Sequence, residues 1–175
     1  CLGQAGWKDD IDGALAMADQ VGELTGRVGI RYYTYLEPIV SGVLVSNTTV
    51  LRDTADTLAT TEQVSDDFQL LLARVTRGVA LIHQHGPKRE AGLQLLTDLR
   101  EAAQGEQFPN PGMVPLFDIC IAKEQARLGD IDGAIARCRA VSGELVAIGA
   151  MVWNAPATDV LVTALLRRGG DSDLW

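Results

Sequence analysis

Apolar residues recur along this chain at intervals of three and four, as they do on helices that bury one face. Between Phe68 and Ile82 they fall at Phe68, Leu71, Leu72, Val75, Val79, Leu81 and Ile82, which wraps into one wide stripe on a helix. Met113 to Leu128 repeats the pattern with Val114, Phe117, Ile121, Ala122, Ala126 and Leu128, and Asp118, Lys123, Glu124 and Arg127 fall elsewhere. No segment sustains the period-two alternation of a strand. The pattern predicts helices over Asp10–Thr25, Val28–Ser46, Val50–Val64, Asp66–His85, Lys88–Gln104, Met113–Leu128, Asp130–Gly149 and Ala155–Arg168. Pro109 and Pro111 exclude a continuing helix across Gln107–Gly112, the clearest loop.

Self-similarity organises these elements. Asp10-Ile11-Asp12-Gly13-Ala14-Leu15-Ala16 recurs as Asp130-Ile131-Asp132-Gly133-Ala134-Ile135-Ala136. The offset of 120 residues, from 10 to 130, is too long for one helical unit and divides into three of about 40. Weaker punctuation lies between and beyond, at Ser46-Asn47-Thr48-Thr49, Gly86-Pro87-Lys88 and Gly170-Asp171. Asp10 and Asp130 suit helix N-caps, because a carboxylate accepts from the free N–H groups of a first turn. Gly129 suits the left-handed residue that ends the helix before it. Each period is therefore expected to hold two antiparallel helices around a tight turn.

Leu128-Gly129-Asp130-Ile131-Asp132-Gly133-Ala134-Ile135 resembles the turn and second helix of a tetratricopeptide repeat, with Ala122 at the small-residue position of the first helix. The chain departs from that family in lacking the early Trp, the first-helix Tyr and the terminal Pro, and in its longer period. Gly86–Ala103 and Leu128–Ala140 are similar to the C-terminal helical arrays of actinobacterial proteins that join a class III adenylyl cyclase domain to an ATPase module, sometimes with a DNA-binding helix-turn-helix. The resemblance implies an all-α fold, a right-handed α-solenoid of about four helical hairpins across residues 1–175 as a single domain. It also implies a regulatory sensor or scaffold within a longer bacterial signalling chain. The start at Cys1 and the stop at Trp175 fit the expectation of an excised piece.

Charge changes the picture in one direction. The chain has 15 Lys+Arg against 23 Asp+Glu, a net charge of −8, which disfavours a phosphate backbone as partner. No apolar run is long enough to span a bilayer. Three cysteines without C-x-x-C spacing fit neither a zinc site nor a disulfide framework, and Cys120 and Cys138 sit where buried reduced thiols would serve in a reducing cytoplasm.

Candidate chemistry is sparse. No phosphate-cradling Gly-rich motif and no Gly-x-Ser-x-Gly elbow occurs. Phe117-Asp118-Ile119-Cys120 has a passing likeness to the metal-binding start of a class III cyclase motif, but without its Gly and Phe. Asp10-Ile11-Asp12-Gly13 and its copy suggest part of a calcium loop but lack the first ligand and the closing Glu, so capping explains them better. His83 and His85 read as surface residues at a helix end, and Asn47-Thr48-Thr49 as a turn. We therefore expect no catalytic residue, no metal and no cofactor in this segment, with any cyclase or ATP-binding chemistry of a parent chain lying outside it.

The positive feature is Arg31-Tyr32-Tyr33-Thr34-Tyr35, which holds all three tyrosines of the chain. Tyr32 and Tyr35 share a helix face, and tyrosine combines apolar area with a hydrogen-bonding tip. The same residues would also serve packing between repeats. If they line a concave groove, Arg31, Tyr32 and Tyr35 join Arg74, Arg77, Lys123 and Arg127 as its polar part, facing a protein or peptide partner or a second copy in a homodimer. A small molecule held near Tyr32 and Tyr35 is the alternative. Trp153 and Asn154 read as either an exposed aromatic site or a helix-start staple.

Overall fold

The computed structural model describes residues 47–61, 67–103, 111–149 and 153–169, with five positions between 13 and 21. Among the described residues it is all-helical and without strands: α1 (Asn47–Thr61), α2 (Asp67–Ile82), α3 (Pro87–Ala102), a short 3₁₀ turn (Pro111–Met113), α4 (Val114–Leu128), α5 (Ile131–Ile148) and α6 (Asn154–Arg168). The chain divides into two compact units, Cys1–Leu95 and Leu96–Trp175. Tyr32 and Tyr35, with Arg31, lie outside the described residues.

In the first unit α2 packs along α1. Of the stripe that the periodicity marks out, Leu71, Leu72, Val75, Val79 and Ile82 are buried, Leu81 is half-buried and Phe68 at its start stays exposed; Ala73 and Ala80, off the stripe, are buried as well. Two boundaries differ from expectation. Asn47-Thr48-Thr49 is the first turn of α1 and not a break before it. Polar side chains suit that place because the first-turn N–H groups have no intrahelical acceptor. At the other end α2 stops at Ile82 and not at His85. The Gln84 N–H closes a tight turn onto the Leu81 carbonyl at 2.9 Å. Gly86 then takes a left-handed φ of +60°, and Pro87 starts α3, where its missing N–H costs nothing.

The turn brings α3 back against α2 with almost no space at one point. A Cβ on Gly92 would lie 2.6 Å from the Cβ of Leu81 and 2.8 Å from the backbone nitrogen of Ile82. Backbone meets backbone there because residue 92 has no side chain.

The second unit is built on α4, which packs against both α5 and α6 while α5 packs against α6. Its core joins Ile119, Ala122 and Ala126 of α4 to Ala134, Ile135, Cys138, Val141 and Leu145 of α5 and to Ala157, Val160 and Ala164 of α6. The small residues let the helix axes approach closely, and the larger ones fill the gaps between them. Phe117 and Leu116 are fully buried as well. Removing a side chain of that size from water is worth about 1.5–3 kcal/mol.

Here the amphipathic reading needs correction. Asp118 and Glu124, expected off the buried stripe, are 4% and 1% exposed, and Leu128, expected on it, is 64% exposed. The cause is that neighbours cover α4 on more than one side, so one apolar face no longer describes it. Leu128 falls at the very end, where Gly129 turns the chain away with φ +98°.

Candidate functional site

The turn predicted from the repeat forms as expected. Asp130 caps α5, its carboxylate accepting from the Gly133 N–H at 3.0 Å. Gly129 caps α4 in the left-handed conformation, and the Asp130 N–H reaches back to the Gln125 carbonyl at 3.0 Å. Two arginines at the end of α6 hold this turn from outside. Arg167 donates to the Ala126 carbonyl at 2.6 Å, and Arg168 to the Asp132 carboxylate at 3.2 Å.

A polar chain runs inward from the turn. Gln125 donates to Asp130 at 2.9 Å and accepts from Arg137 Nε at 2.9 Å. Arg137 also donates through Nη1 to Asp118 Oδ1 at 2.6 Å, and Arg100, near the end of α3, donates to the other oxygen, Oδ2, at 2.8 Å. A buried carboxylate with both oxygens held by guanidinium groups meets the condition under which burial of charge is tolerated. Nearby, Arg127 pairs with the buried Glu124 at 2.7 Å. Arg100, Gln125 and Arg137 were not foreseen. Their signal was Asp118 itself, an acid set inside the apolar run Leu116–Ala122, where a carboxylate is rarely fully buried without a cation.

The remaining cations foreseen for a groove are placed as follows. Arg74 and Arg77 stand three residues apart on α2 of the first unit, Arg74 exposed and Arg77 half-buried. Arg77 donates from Nη1 to the Leu51 carbonyl of α1 at 3.2 Å. Lys123 and Arg127 stand four apart on α4 of the second unit, Lys123 half-buried and Arg127 exposed but engaged by Glu124. Trp153 resolves into the helix-start reading, since it precedes α6 and packs against the core of the second unit.

Cys120 and Cys138 are both free and buried. Burial pushes the Cys120 thiol up from 9.0 to about 12, with Glu124 adding and Lys123 opposing. Burial likewise pushes Cys138 up to about 11 against the pull of Arg137. Both are held as thiols near neutral pH, the unreactive form. His85 is exposed and His83 half-buried in the turn after α2. Among the described residues, no group of three or more His, Cys, Asp or Glu is placed to hold a metal ion. Nor, among them, is any helix long and apolar enough to cross a membrane.

Searches against protein-family models, curated proteins and solved structures give no match to this chain.

Proposed function

We propose that the chain is an α-solenoid of tetratricopeptide-like helical hairpins that binds a protein or peptide partner, as the sensor or scaffold part of a larger bacterial signalling protein. The carrying observation is a rhythm in the second unit. Gly129, Gly149 and Gly169 all end helices in the left-handed conformation, with φ of +98°, +70° and +67°. Their spacing is 20 and 20 residues, from 129 to 149 and from 149 to 169. Two such steps make a hairpin period of about 40, the length on which the repeat in the sequence is built. Consecutive helices in such an array touch both their partner and the next hairpin, and α4 touches both α5 and α6. The buried reduced thiols fit a reducing compartment such as the cytoplasm.

On this reading the partner meets first helices along a concave face, with Arg31, Tyr32 and Tyr35 at one end of the chain and arginine and lysine side chains following. Two experiments test it. Hydrogen exchange across the full chain is expected to show protection that falls stepwise toward both ends, because each hairpin is stabilised only by its neighbours. Uniform protection with a single opening free energy would instead describe one cooperative globule. Separately, a partner retained by the wild-type chain should be lost on combining Tyr32→Ala with Tyr35→Ala, with little change in melting temperature. A loss of about 3 kcal/mol or more in stability would place those rings in a core and remove them from the binding face. Cyclic AMP formed by the purified chain from ATP and a divalent cation would replace the scaffold reading with an enzymatic one.

A further inference from the structure

The first unit contains a cleft that shares only Arg77 with the residues proposed for the partner face. It has a volume of about 600 Å³ and lies where α1, the end of α2 and the start of α3 meet. Leu51, Ala55, Leu81 and Leu95 contribute apolar walls, and the only charged side chains lining it among the described residues are Arg77 and Lys88. A cleft of several hundred Å³ with mainly apolar walls and few polar groups is of the kind that takes a small molecule.

The two cations set the sign of that molecule. In the second unit Arg100, Arg127, Arg137 and Arg168 are each engaged by a carboxylate. Arg77 is engaged by none among the described residues; its one hydrogen bond goes to the Leu51 carbonyl, part of the cleft wall. That bond fixes the guanidinium at the cleft while leaving most of its N–H donors unspent. Lys88, exposed in the first turn of α3, has no carboxylate partner among the described residues either. In a chain with 23 acids to 15 bases, two cations at an apolar cleft without acidic partners offer charge complementarity to an anion.

We propose that this cleft binds a small amphipathic anion, an aliphatic body lying between α1 and α3 with a carboxylate head held by Arg77 and Lys88. Planar guanidinium suits a carboxylate through paired N–H donors, and Lys88 adds a mobile point charge. The site shares Arg77 with the proposed partner face, but its test needs no protein partner.

Decanoate, kept below its micellar concentration, is the probe, titrated calorimetrically into the full chain. One saturable site per chain is expected. Lys88→Glu, which places an acid favourably in a helix first turn, should weaken decanoate about tenfold, as loss of a charge-assisted contact does. Ala91→Phe, on an exposed position of the cleft wall, should abolish binding by filling the space, with the helical circular dichroism spectrum unchanged. Decyltrimethylammonium, the same body with a cationic head, should not saturate. Equal binding of both heads, or decanoate binding undiminished in Ala91→Phe, would overturn the proposal. So would failure of decanoate to bind, including the case in which the wild-type chain is dimeric and Ala91→Phe returns it to a monomer, which would assign the cleft to a second copy.

Discussion

The two units solve the same problem, burying one helix among others, with different chemistry. In the second unit α4 is enclosed so fully that two carboxylates go inside with it; Arg100 and Arg137 from neighbouring helices neutralise Asp118, and Arg127 of α4 itself pairs with Glu124. In the first unit no carboxylate is buried among the described residues; its buried polar groups are the hydroxyls of Thr54 and Thr76. There Arg77 donates to a carbonyl and the exposed Arg52 pairs with the adjacent, half-buried Asp53, and a cleft remains between the helices. The difference teaches where rigidity and binding capacity reside. A charge network that must be complete ties helices into one arrangement, whereas a unit without a buried carboxylate among its described residues keeps space and cations free of acidic partners at Arg77 and Lys88.

The largest expected effect tests the charge network of the second unit. Asp118→Ala strips both Arg100 and Arg137 of their shared acceptor, and breaking such a pair from one side typically costs about 3–5 kcal/mol. Both arginines keep partial contact with water, so we expect the lower end, about 3 kcal/mol, measured by urea unfolding of the full chain. A loss below about 1 kcal/mol would reduce the network to surface ion pairing and remove the distinction between the units.

Gly92→Ala probes the first unit where its helices are closest. In an exposed helix this change would gain helix propensity, but here the new Cβ meets the Leu81 Cβ and the Ile82 backbone nitrogen, which cannot move aside as a flexible side chain would. Overpacking of this kind costs about 1–3 kcal/mol, and we expect about 2. An unchanged or raised melting temperature would mean that α2 and α3 separate easily, and the cleft they border would then have no fixed shape.

Alkaline pH should loosen the second unit first, since it holds both described cysteines. In the unfolded chain a thiol ionises from about 9.0, while native Cys120 keeps its proton until about 12. Between these values the native state binds more protons than the unfolded state, so stability is full below pH 9 and falls as pH rises through the window. The slope approaches about 1.4 kcal/mol per pH unit for each such thiol. Cys120→Val should flatten the dependence of the urea midpoint on pH above 9; a variant with the wild-type slope would show that other groups govern it.

How much of this was legible in the sequence follows from which forces act locally. Gly129 and Asp130 announced their turn because left-handed backbone and a capping carboxylate are properties of single residues. The α2 stripe was legible because its large apolar side chains recur at intervals of three and four, although Ala73, Thr76 and Ala80, which lie off that stripe, are buried as well. The enclosure of α4 was not, since it depends on α5 and α6 arriving from farther along the chain. The cleft in the first unit had no sequence signal either: Leu51, Arg77 and Lys88 are far apart in the chain and meet only through packing. Arg74, Arg77, Lys123 and Arg127 were grouped by helix position, yet Arg127 is already engaged by Glu124, three residues before it and buried.

The smallest effect separates the two threonines of the first unit and asks whether its packing is free of polar cost. Thr54 Oγ1 donates to the Val50 carbonyl at 2.8 Å, the back-bond that a helical threonine can make within its own turn. Thr76 Oγ1 is equally buried and has no hydrogen-bond partner. A hydroxyl that loses water and gains nothing in exchange is a net cost, so replacing it with a methyl of nearly the same shape should relieve that cost. Thr76→Val is therefore expected to raise stability by about 1 kcal/mol, whereas Thr54→Val, which gives up a made bond, should be neutral or slightly destabilising. Thermal unfolding of the two variants side by side decides it. If Thr76→Val is the more destabilising, its hydroxyl has a partner in solution, and the first unit carries a second buried polar contact beside that of Thr54.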